Sequence, residues 1–383
     1  MTALAPEHAT MPVVGRLDAH ASRQDQIAHV AEAARQIRLQ DLKLVHYAGA
    51  GHIGGDFSSI DVLATLYGAV LDVTPETVDD PERDRFILSK GHVAGALYTT
   101  LAAFGFLAVE ELATFLKPLS RLNGHPNRNK VPGVEANTGP LGHGLPIAVG
   151  HAIAARLDGS PRRTYVLTGD GELQEGSNWE AMMAASHHQL DRLTVIVDRN
   201  GLQQGATTRE TNDLGDLRAK AEAFGFAVVE VDGHDHGQLL DVLSAVPVRP
   251  GRPTFVIAHT HKGHPISYMS NDVAWHHKVP SEAQLHLALE ELDRAQAQQK
   301  HDEVAAAGQV DPEPANSNEG QPACAPARPP PARSSTSRAS TAATRTWRRW
   351  PTSPSTTTAS SASSTTRSAR ASSTPSRRRS RTG

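Results

Sequence analysis

The chain has 383 residues, enough for two or three average domains or one large α/β domain with extensions. Its composition changes sharply near residue 311, because residues 311–383 contain no Val, Ile, Leu, Met, Phe, Tyr or Lys. Residues 328–383 contain twelve Arg and no Asp or Glu, which leaves 26 basic and 41 acidic residues in residues 1–327. The two parts therefore carry about +12 and −15, and the tail has almost nothing apolar with which to build a core.

These features exclude several classes of protein. The single cysteine, Cys324, rules out a disulfide framework, and no apolar run approaches the ~18 residues of a membrane span. The first 24 residues lack a charged segment followed by an apolar one, so no secretory signal is visible. We therefore expect a soluble cytoplasmic protein without a membrane partner. The acidic body argues against nucleic-acid binding, although an Arg-rich tail attracts phosphate.

Apolar periodicity predicts a first helix over residues 24–47, after a loose N-terminal arm of residues 1–23. A glycine cluster at residues 49–55 then breaks the pattern, and a Ser-Ser-x-Asp signal predicts a second helix over residues 58–71. Short apolar runs predict strands at residues 85–88, 165–168, 193–198, 227–231 and 254–258. Helical stretches are predicted at residues 145–157, 178–188, 217–224, 237–245 and 281–306. This alternation predicts an α/β fold with a parallel β-sheet covered by helices on both faces, over residues 24–310, followed by a disordered Pro/Ser/Thr/Arg-rich tail at residues 311–383.

The strongest local motif is Thr-Gly-Asp-Gly-Glu at residues 168–172, directly after a predicted strand. Asn200 ends the next predicted strand, thirty residues after Asp170, and is followed by Gly201 and Leu202. Parallel strands bring their carboxyl ends to one edge of the sheet, where α/β folds bind ligands. Asp170, the Asn200 amide oxygen and the Leu202 carbonyl form a hard-oxygen set that suits Mg²⁺, which takes its remaining ligands from phosphates and water. Gly169 and Gly171 let backbone approach a diphosphate closely.

Gly-Asp-Gly by itself favours a simpler interpretation, a turn in which Asp170 caps a helix. The Asn-Gly-Leu at this spacing, with a strand before each motif, favours the ligand site instead. The stretch from Gly169 to Asn200 resembles the thiamine-diphosphate motif, and residues 169–181 resemble transketolases in particular. The resemblance implies thiamine diphosphate with Mg²⁺ (or Ca²⁺ or Mn²⁺ in its place), held by Asp170, Asn200 and the Leu202 carbonyl. It also implies that Glu175 is a buried carboxylate near the interface of a dimer.

The chain has twenty histidines, several of them beside glycine in predicted loops. Loop histidines can exchange protons near neutral pH and bind sugar hydroxyls or phosphates, although each alone is ordinary. A zinc site is the rival interpretation, but the sequence has no His-x-x-x-His or Glu-x-x-His pair with clear helical placement. Segments similar to the transketolase histidine motifs surround His52, His92, His125 and His276, with Ala50, Ile53 and His277 as departures. The resemblance implies that these four line a substrate channel, with His52 and His276 assisting proton transfer and His92 and His125 holding hydroxyls.

A fifth motif, residues 138–144, resembles the family's Thr-Gly-Pro-Leu-Gly-Gln-Gly loop and implies cofactor contacts by Gly139, Leu141 and Gly142. A dinucleotide fingerprint is discounted there, because no strand precedes the loop and the third glycine spacing is wrong. The resemblance covers about residues 25–292, with five motifs in family order. It implies transfer of a two-carbon ketol unit from a ketose phosphate to an aldose phosphate, in a homo- or hetero-oligomer.

In transketolases the glutamate that activates the cofactor's aminopyrimidine lies in a later domain, and residues 311–383 have no core to form one. We therefore expect this chain to supply the diphosphate and metal half of a site, with negligible turnover alone. One explanation is a separate C-terminal, pyrimidine-binding subunit. The other is a gene shifted out of frame, since Arg, Ala, Ser, Thr and Pro are what GC-rich codons give in a wrong frame. A cationic arm for nucleic acid or an acidic partner is the third interpretation of the tail.

Two further functions stay open at this stage. Another thiamine-dependent enzyme, such as a deoxyxylulose-phosphate synthase or the α chain of a 2-oxoacid dehydrogenase, shares the cofactor. In those families the segment that corresponds to residues 173–176 has a different sequence, and this set of histidine loops is absent. A non-catalytic subunit that keeps the fold is the alternative from a different class.

Overall fold

The computed structural model describes the backbone of residues 10–18 and 20–307, and the side chains through residue 296. The predicted tail at residues 311–383 and the start of the predicted arm lie outside the described residues. Residues 10–18 lie against the helices that follow, since the Val14 N–H donates to the Ala103 carbonyl across 2.7 Å. Within the described residues, no helix is both long enough and apolar enough to cross a bilayer.

Five strands form one parallel sheet in the order β1-β2-β3-β5-β4. Their bounds are β1 Arg85–Leu88, β2 Thr164–Gly169, β3 Leu193–Arg199, β4 Ala227–Asp232 and β5 Thr254–His259. Each predicted strand is confirmed, to within a residue at either end. The three central strands are almost wholly buried, as expected for a parallel sheet with both faces covered. The predicted fold class is therefore confirmed.

Nine helices of the described chain surround the sheet. They are α1 Arg23–Ala48, α2 Ile53–Thr65, α3 Ala94–Ala103, α4 Gly144–Asp158, α5 Gly176–His187, α6 Thr208–Asn212, α7 Leu217–Ala223, α8 His236–Ser244 and α9 Glu282–Ala307. A π-helical turn, Leu66–Val70, extends α2. The prediction missed α3, whose residues are all buried and carry no amphipathic period.

The predicted start of α2 at Ser58 is wrong, because the helix begins at Ile53, inside the glycine cluster. Gly54 and Gly55 do not break the helix; they let neighbouring segments approach it. A Cβ on Gly54 would lie 2.7 Å from the Trp275 carbonyl oxygen and 2.8 Å from the Lys262 side chain. Ser58 is not a cap, since its hydroxyl donates within the helix to the Gly55 carbonyl and onward to the sheet at Asp198.

The core has two parts, one on each face of the sheet. On one face α1, α2 and α3 pack over Tyr165, Leu167 and Ile196. On the other face α4 and α5 pack over Val166 and Val195. This arrangement holds the carboxyl ends of β2 and β3 side by side, and it places the first turn of α2 beside them.

Candidate active site

A cavity of about 350 Å³ lies at the carboxyl edge of β2 and β3. The structure brings eleven of the predicted site residues to its wall, from seven separate segments of the chain. They are His52, His92, His125, Gly139, Leu141, Gly169, Asp170, Gly171, Asn200, Leu202 and His276. Lys90, Glu172, Gln203, Gln204, Lys262 and His277 complete the wall.

Asp170 is the buried acid of this cavity, with only 3% of its surface exposed. It follows β2 directly, and its two carboxylate oxygens accept backbone N–H groups of Gly171 at 2.8 Å and Gly201 at 2.7 Å. Burial, aided by the nearby Asp198 carboxylate, raises the pKa of Asp170 to about 6. Ionising this carboxyl group is costly in the protein alone, and a bound cation would stabilise the resulting carboxylate.

Asn200 follows β3 and is fixed by two hydrogen bonds. Its amide nitrogen donates to Asp198 Oδ2 at 3.0 Å, and its amide oxygen accepts the Leu202 N–H at 3.0 Å. These contacts fix the orientation of the Asn200 amide group. Its oxygen and the Leu202 carbonyl lie on the same loop. The predicted donor set therefore lies on two adjacent loops that the Gly201–Asp170 hydrogen bond joins.

Asp198 lies beneath the cavity floor and was missed by sequence reasoning. It is fully buried at the end of β3, where its carboxylate accepts Ser58 Oγ at 2.6 Å and pairs closely with Lys90 and Thr260. These contacts outweigh its burial and lower the pKa of Asp198 to about 2. The available signal was an aspartate inside an apolar strand, which burial forces to find cationic or hydroxyl partners.

Glu172 connects three loops of the site and was also missed. One of its oxygens accepts the Gly142 N–H at 2.9 Å and the Ser89 hydroxyl, and the other accepts the Gly169 N–H at 3.0 Å. The side chain is 3% exposed, and its burial raises the pKa of Glu172. Glu172 thus ties the loop after β1, the glycine loop before α4 and the loop after β2 into one frame.

Four histidines converge at the wall of the same cavity. The ring centroid of His52 lies 5.1 Å from His92, 5.6 Å from His276 and 4.4 Å from His277. Burial lowers the pKa of His52 to about 4 and that of His276 to about 3. Burial also lowers the pKa of His92 well below its usual range. The imidazoles of His52, His92 and His276 are therefore neutral near pH 7, able both to accept and to donate a proton.

Lys262 is a second buried cation at the cavity, 2% exposed, and no sequence motif had singled it out. Its Nζ lies 3.3 Å from His276 Nδ1. Burial, together with the positive charge of Lys90, lowers the pKa of Lys262 to about 8. Two lysines on a wall that also holds carboxylates give the cavity both the cations for a diphosphate and the anions for a metal.

Two predicted residues lie outside the cavity wall. Gly142 acts through Glu172, and its backbone has φ +78°; a Cβ there would lie 2.6 Å from the Glu175 side chain, so only glycine fits. Glu175 is exposed in the single chain, at the residue before α5. The burial that the resemblance implies concerns an interface with a second subunit and stays a prediction.

The residues present fit thiamine diphosphate with Mg²⁺. The donor chemistry is a carboxylate, an amide oxygen and a backbone carbonyl, which are hard oxygen ligands. The raised pKa of Asp170 shows that its charge is poorly compensated by the protein alone. The buried amines of Lys90 and Lys262 supply positive charge at the same wall.

Comparison with known proteins places this site in a family. A family model described as "Transketolase, thiamine diphosphate binding domain" matches residues 29–298. One subunit of the apulose-4-phosphate transketolase of Actinobacillus succinogenes is 46% identical over 70% of this chain and 96% of that protein. The SqwG subunit of the 6-deoxy-6-sulfo-D-fructose transketolase of Clostridium sp. is 35% identical over 71% of this chain and 98% of that protein.

Solved structures agree with the sequence relatives. Transketolase from Campylobacter jejuni superposes with a TM-score of 0.65 at 29% identity, over 69% of this chain and 42% of that one. Transketolase from Leishmania mexicana gives a TM-score of 0.62 at 28% identity, over 73% of this chain and 47% of that one. The chain thus spans less than half of these solved enzymes but nearly all of the two transketolase subunits. The chain belongs to the transketolase family, and residues 29–298 form its thiamine diphosphate binding domain.

Proposed function

We propose that this chain is the diphosphate- and metal-binding subunit of a two-subunit transketolase. It works with a partner chain that supplies the pyrimidine-binding half. The complex moves a two-carbon ketol unit from a ketose phosphate to an aldose phosphate. The single observation that carries the proposal is the meeting of the Asp170 and Asn200 loops with His52, His92 and His276 around one cavity.

The metal end of the cavity holds the diphosphate. Asp170, the Asn200 amide oxygen and the Leu202 carbonyl bind Mg²⁺, with Ca²⁺ or Mn²⁺ as substitutes, and the ion in turn binds the phosphates. Gly169, Gly171 and Gly139 offer backbone without side chains along the wall, and Leu141 adds an apolar contact. Thiamine diphosphate, when bound, supplies the electron sink for carbon–carbon bond cleavage.

The histidine end handles the sugar. His52 and His276 are neutral, so either ring can take a hydroxyl proton from the donor and return it to the acceptor. His92 and His125 line the same wall and hold substrate hydroxyls. Lys262, at 3.3 Å from His276, orients that ring.

Support for a split enzyme comes from the relatives' names and lengths. Two relatives, each one subunit of an apulose-4-phosphate transketolase, are 46% and 43% identical to this chain and match it over 96% and 89% of their own lengths. An apulose 4-phosphate donor is therefore the first to test, beside the linear donor xylulose 5-phosphate. Glu175, exposed here beside Gly142, faces the surface where a second subunit would pack.

Reconstitution tests the proposal. The purified chain is mixed with a transketolase subunit carrying the pyrimidine-binding domain, Mg²⁺, thiamine diphosphate, a ketose phosphate donor and an aldose phosphate acceptor. We expect ketol transfer from the mixture and negligible turnover from this chain alone. Appreciable steady-state activity of the single chain contradicts the split, and reaction with pyruvate in place of a ketose phosphate indicates another thiamine-dependent activity. Absence of Mg²⁺-dependent thiamine diphosphate binding even with the partner indicates a non-catalytic subunit.

A further inference from the structure

The described residues contain two groups of three histidines whose ring nitrogens approach closely enough to share one ion. One group is His52, His276 and His277, at the sugar end of the cavity. The other is His234, His261 and His264, near the start of α8 and the loop after β5. Sequence spacing gives no hint of the first group, because His52 and His276 are 224 residues apart along the chain.

The ring geometry separates the two groups. Three imidazoles bound to one tetrahedral Zn²⁺, with Zn–N of about 2.0–2.1 Å, hold their ring centroids roughly 5 Å apart and steeply inclined. In the first group the centroids lie 5.6, 4.4 and 4.7 Å apart, with interplanar angles of 88°, 58° and 75°. The candidate ring nitrogens all lie within 4.8 Å of one another. A modest rearrangement would bring them to the separation of about 3.4 Å that a tetrahedral Zn²⁺ requires.

The second group lacks this arrangement. The His234 and His264 rings are stacked at 3.8 Å with an interplanar angle of 20°, so their in-plane lone pairs run nearly parallel and do not converge. Both nitrogens of His234 are also engaged, Nδ1 with Asp61 at 2.7 Å and Nε2 with the His261 N–H at 2.9 Å. This group forms a hydrogen-bonded structural cluster.

The first group has nitrogens to spare. Among the described residues, the rings of His52 and His277 make no hydrogen bond, and only Nδ1 of His276 is held, by Lys262. That contact orients the His276 ring. Coordination of an ion by Nε2 needs Nδ1 to carry the ring proton and donate it to a neutral Lys262. Coordination by Nε2 releases one proton to solvent, from that ring or from Lys262.

We infer that His52, His276 and His277 form a binding site for a borderline-soft divalent cation such as Zn²⁺, separate from the Mg²⁺ site of the same cavity. The two sites select different ions because their donors differ, with imidazole nitrogen at one end and hard oxygen at the other. An ion at the histidine end occupies two of the rings that we propose to transfer protons. Zn²⁺ therefore inhibits the reconstituted enzyme; this consequence, unlike the binding itself, rests on the proposed function.

Cobalt binding tests the site without any need for activity. Co²⁺ is added to the full chain after chelator treatment, with neither thiamine diphosphate nor a partner chain present, and the visible absorption of tetrahedral Co²⁺ is recorded. Zn²⁺ then displaces the cobalt. We expect one tetrahedral Co²⁺ per chain, with affinity reduced about tenfold or more in His277→Asn and in His52→Asn, since loss of a direct ligand costs at least as much as loss of an outer contact.

Two variants of the other group, His261→Asn and His264→Asn, are the matched controls and should bind cobalt as the parent chain does. Circular dichroism verifies that each variant is folded. The inference is overturned if no tetrahedral band forms, if His277→Asn and His52→Asn bind as tightly as the parent, or if the controls lose the band. A separate assay measures Zn²⁺ inhibition of the reconstituted enzyme and its relief by chelator. If Zn²⁺ does not inhibit the enzyme although cobalt binds normally, the result contradicts the proposed function but not the inferred metal site.

Discussion

The backbone N–H of Gly201 donates to the Asp170 carboxylate across 2.7 Å, and this bond joins the loop after β2 to the loop after β3. The two loops are neighbours because β2 and β3 pair in parallel, with Gly169 opposite Asp198. The two loops that carry the proposed metal ligands are therefore joined in the protein alone. The protein alone compensates the negative charge of Asp170 poorly, as the raised pKa of this carboxyl indicates.

The first prediction concerns Asp170. In the metal-free chain the raised pKa of Asp170 means that ionising this carboxyl lowers the free energy of unfolding. The stabilising contribution of the protonated carboxyl is complete below the unfolded pKa of ~4 and is lost as pH rises through about 6. Asp170→Asn should remove roughly 2–3 kcal/mol of this pH dependence. Its amide NH₂ meets the Gly171 or the Gly201 N–H as a second donor, which should cost about 1–3 kcal/mol at every pH. Urea unfolding at a series of pH values, with chelator present, measures it.

The same variant should behave oppositely with ligand. Mg²⁺ and thiamine diphosphate should raise the melting temperature of the parent chain, because ligand binds the folded state. Asp170→Asn should lose that increase. An equal ligand-induced increase in both chains would show that Asp170 is not a metal ligand.

The second prediction concerns the buried pair of Asp198 and Lys90, which are 0% and 2% exposed. Asp198→Asn should destabilise the chain by about 3–5 kcal/mol, because it leaves Lys90 buried without its carboxylate. The double variant with Lys90→Met should cost less than the sum of the single changes, because the two residues interact directly. Asp241→Asn, which breaks an exposed pair with Arg23, is the control and should leave stability nearly unchanged.

The third prediction concerns Glu172. In Glu172→Gln an amide NH₂ must replace one carboxylate oxygen, where it meets either the Gly142 or the Gly169 N–H as a second donor. We expect a loss of about 1–3 kcal/mol and weaker thiamine diphosphate binding. Glu180→Gln, at an exposed position of α5, is the control. Calorimetric affinity equal to that of the parent would argue against a role for Glu172 in holding the glycine loop.

The fourth prediction concerns the protonation of His52. Its pKa is lowered to about 4 in the folded chain, so its contribution to stability is complete above the unfolded pKa of ~6.5 and is lost as pH falls toward 4. The His52 imidazole resonances, identified by their absence in His52→Asn, should not shift between about pH 8 and pH 6. A midpoint near pH 6.5 would mean that the ring is not desolvated as the structure shows.

The fifth prediction concerns Glu175, which is exposed in the single chain. Glu175→Gln should change the stability of the isolated chain by less than about 0.5 kcal/mol, as an ordinary surface substitution does. If Glu175 lies at a subunit interface, the variant should weaken assembly. Sedimentation velocity of parent and variant, each with and without the pyrimidine-binding subunit, compares the two.

Local sequence determined the sheet and most of its helices. Continuous apolar runs predicted all five strands. Apolar residues dominate the three central strands because those strands are buried on both faces. The motifs after β2 and β3 also predicted the edge of the sheet at which the cavity lies, since the carboxyl ends of parallel strands share one edge. Assignment of the histidines to one channel depended on resemblance to transketolases, because no spacing rule relates His52 to His276.

Tertiary structure alone decided the rest. The glycines before Ser58 resembled a break between helices, but they belong to α2. Trp275 and Lys262 pack against Gly54, and Val93 packs against Gly55, from distant segments. The roles of Asp198, Glu172 and Lys262 depend on distant residues, because a buried charge is defined by partners that the fold brings to it. The convergence of His277 with His52 and His276 has the same origin. Helices and strands are encoded by local sequence periodicity, whereas a site is formed by loops that come together only when those elements pack.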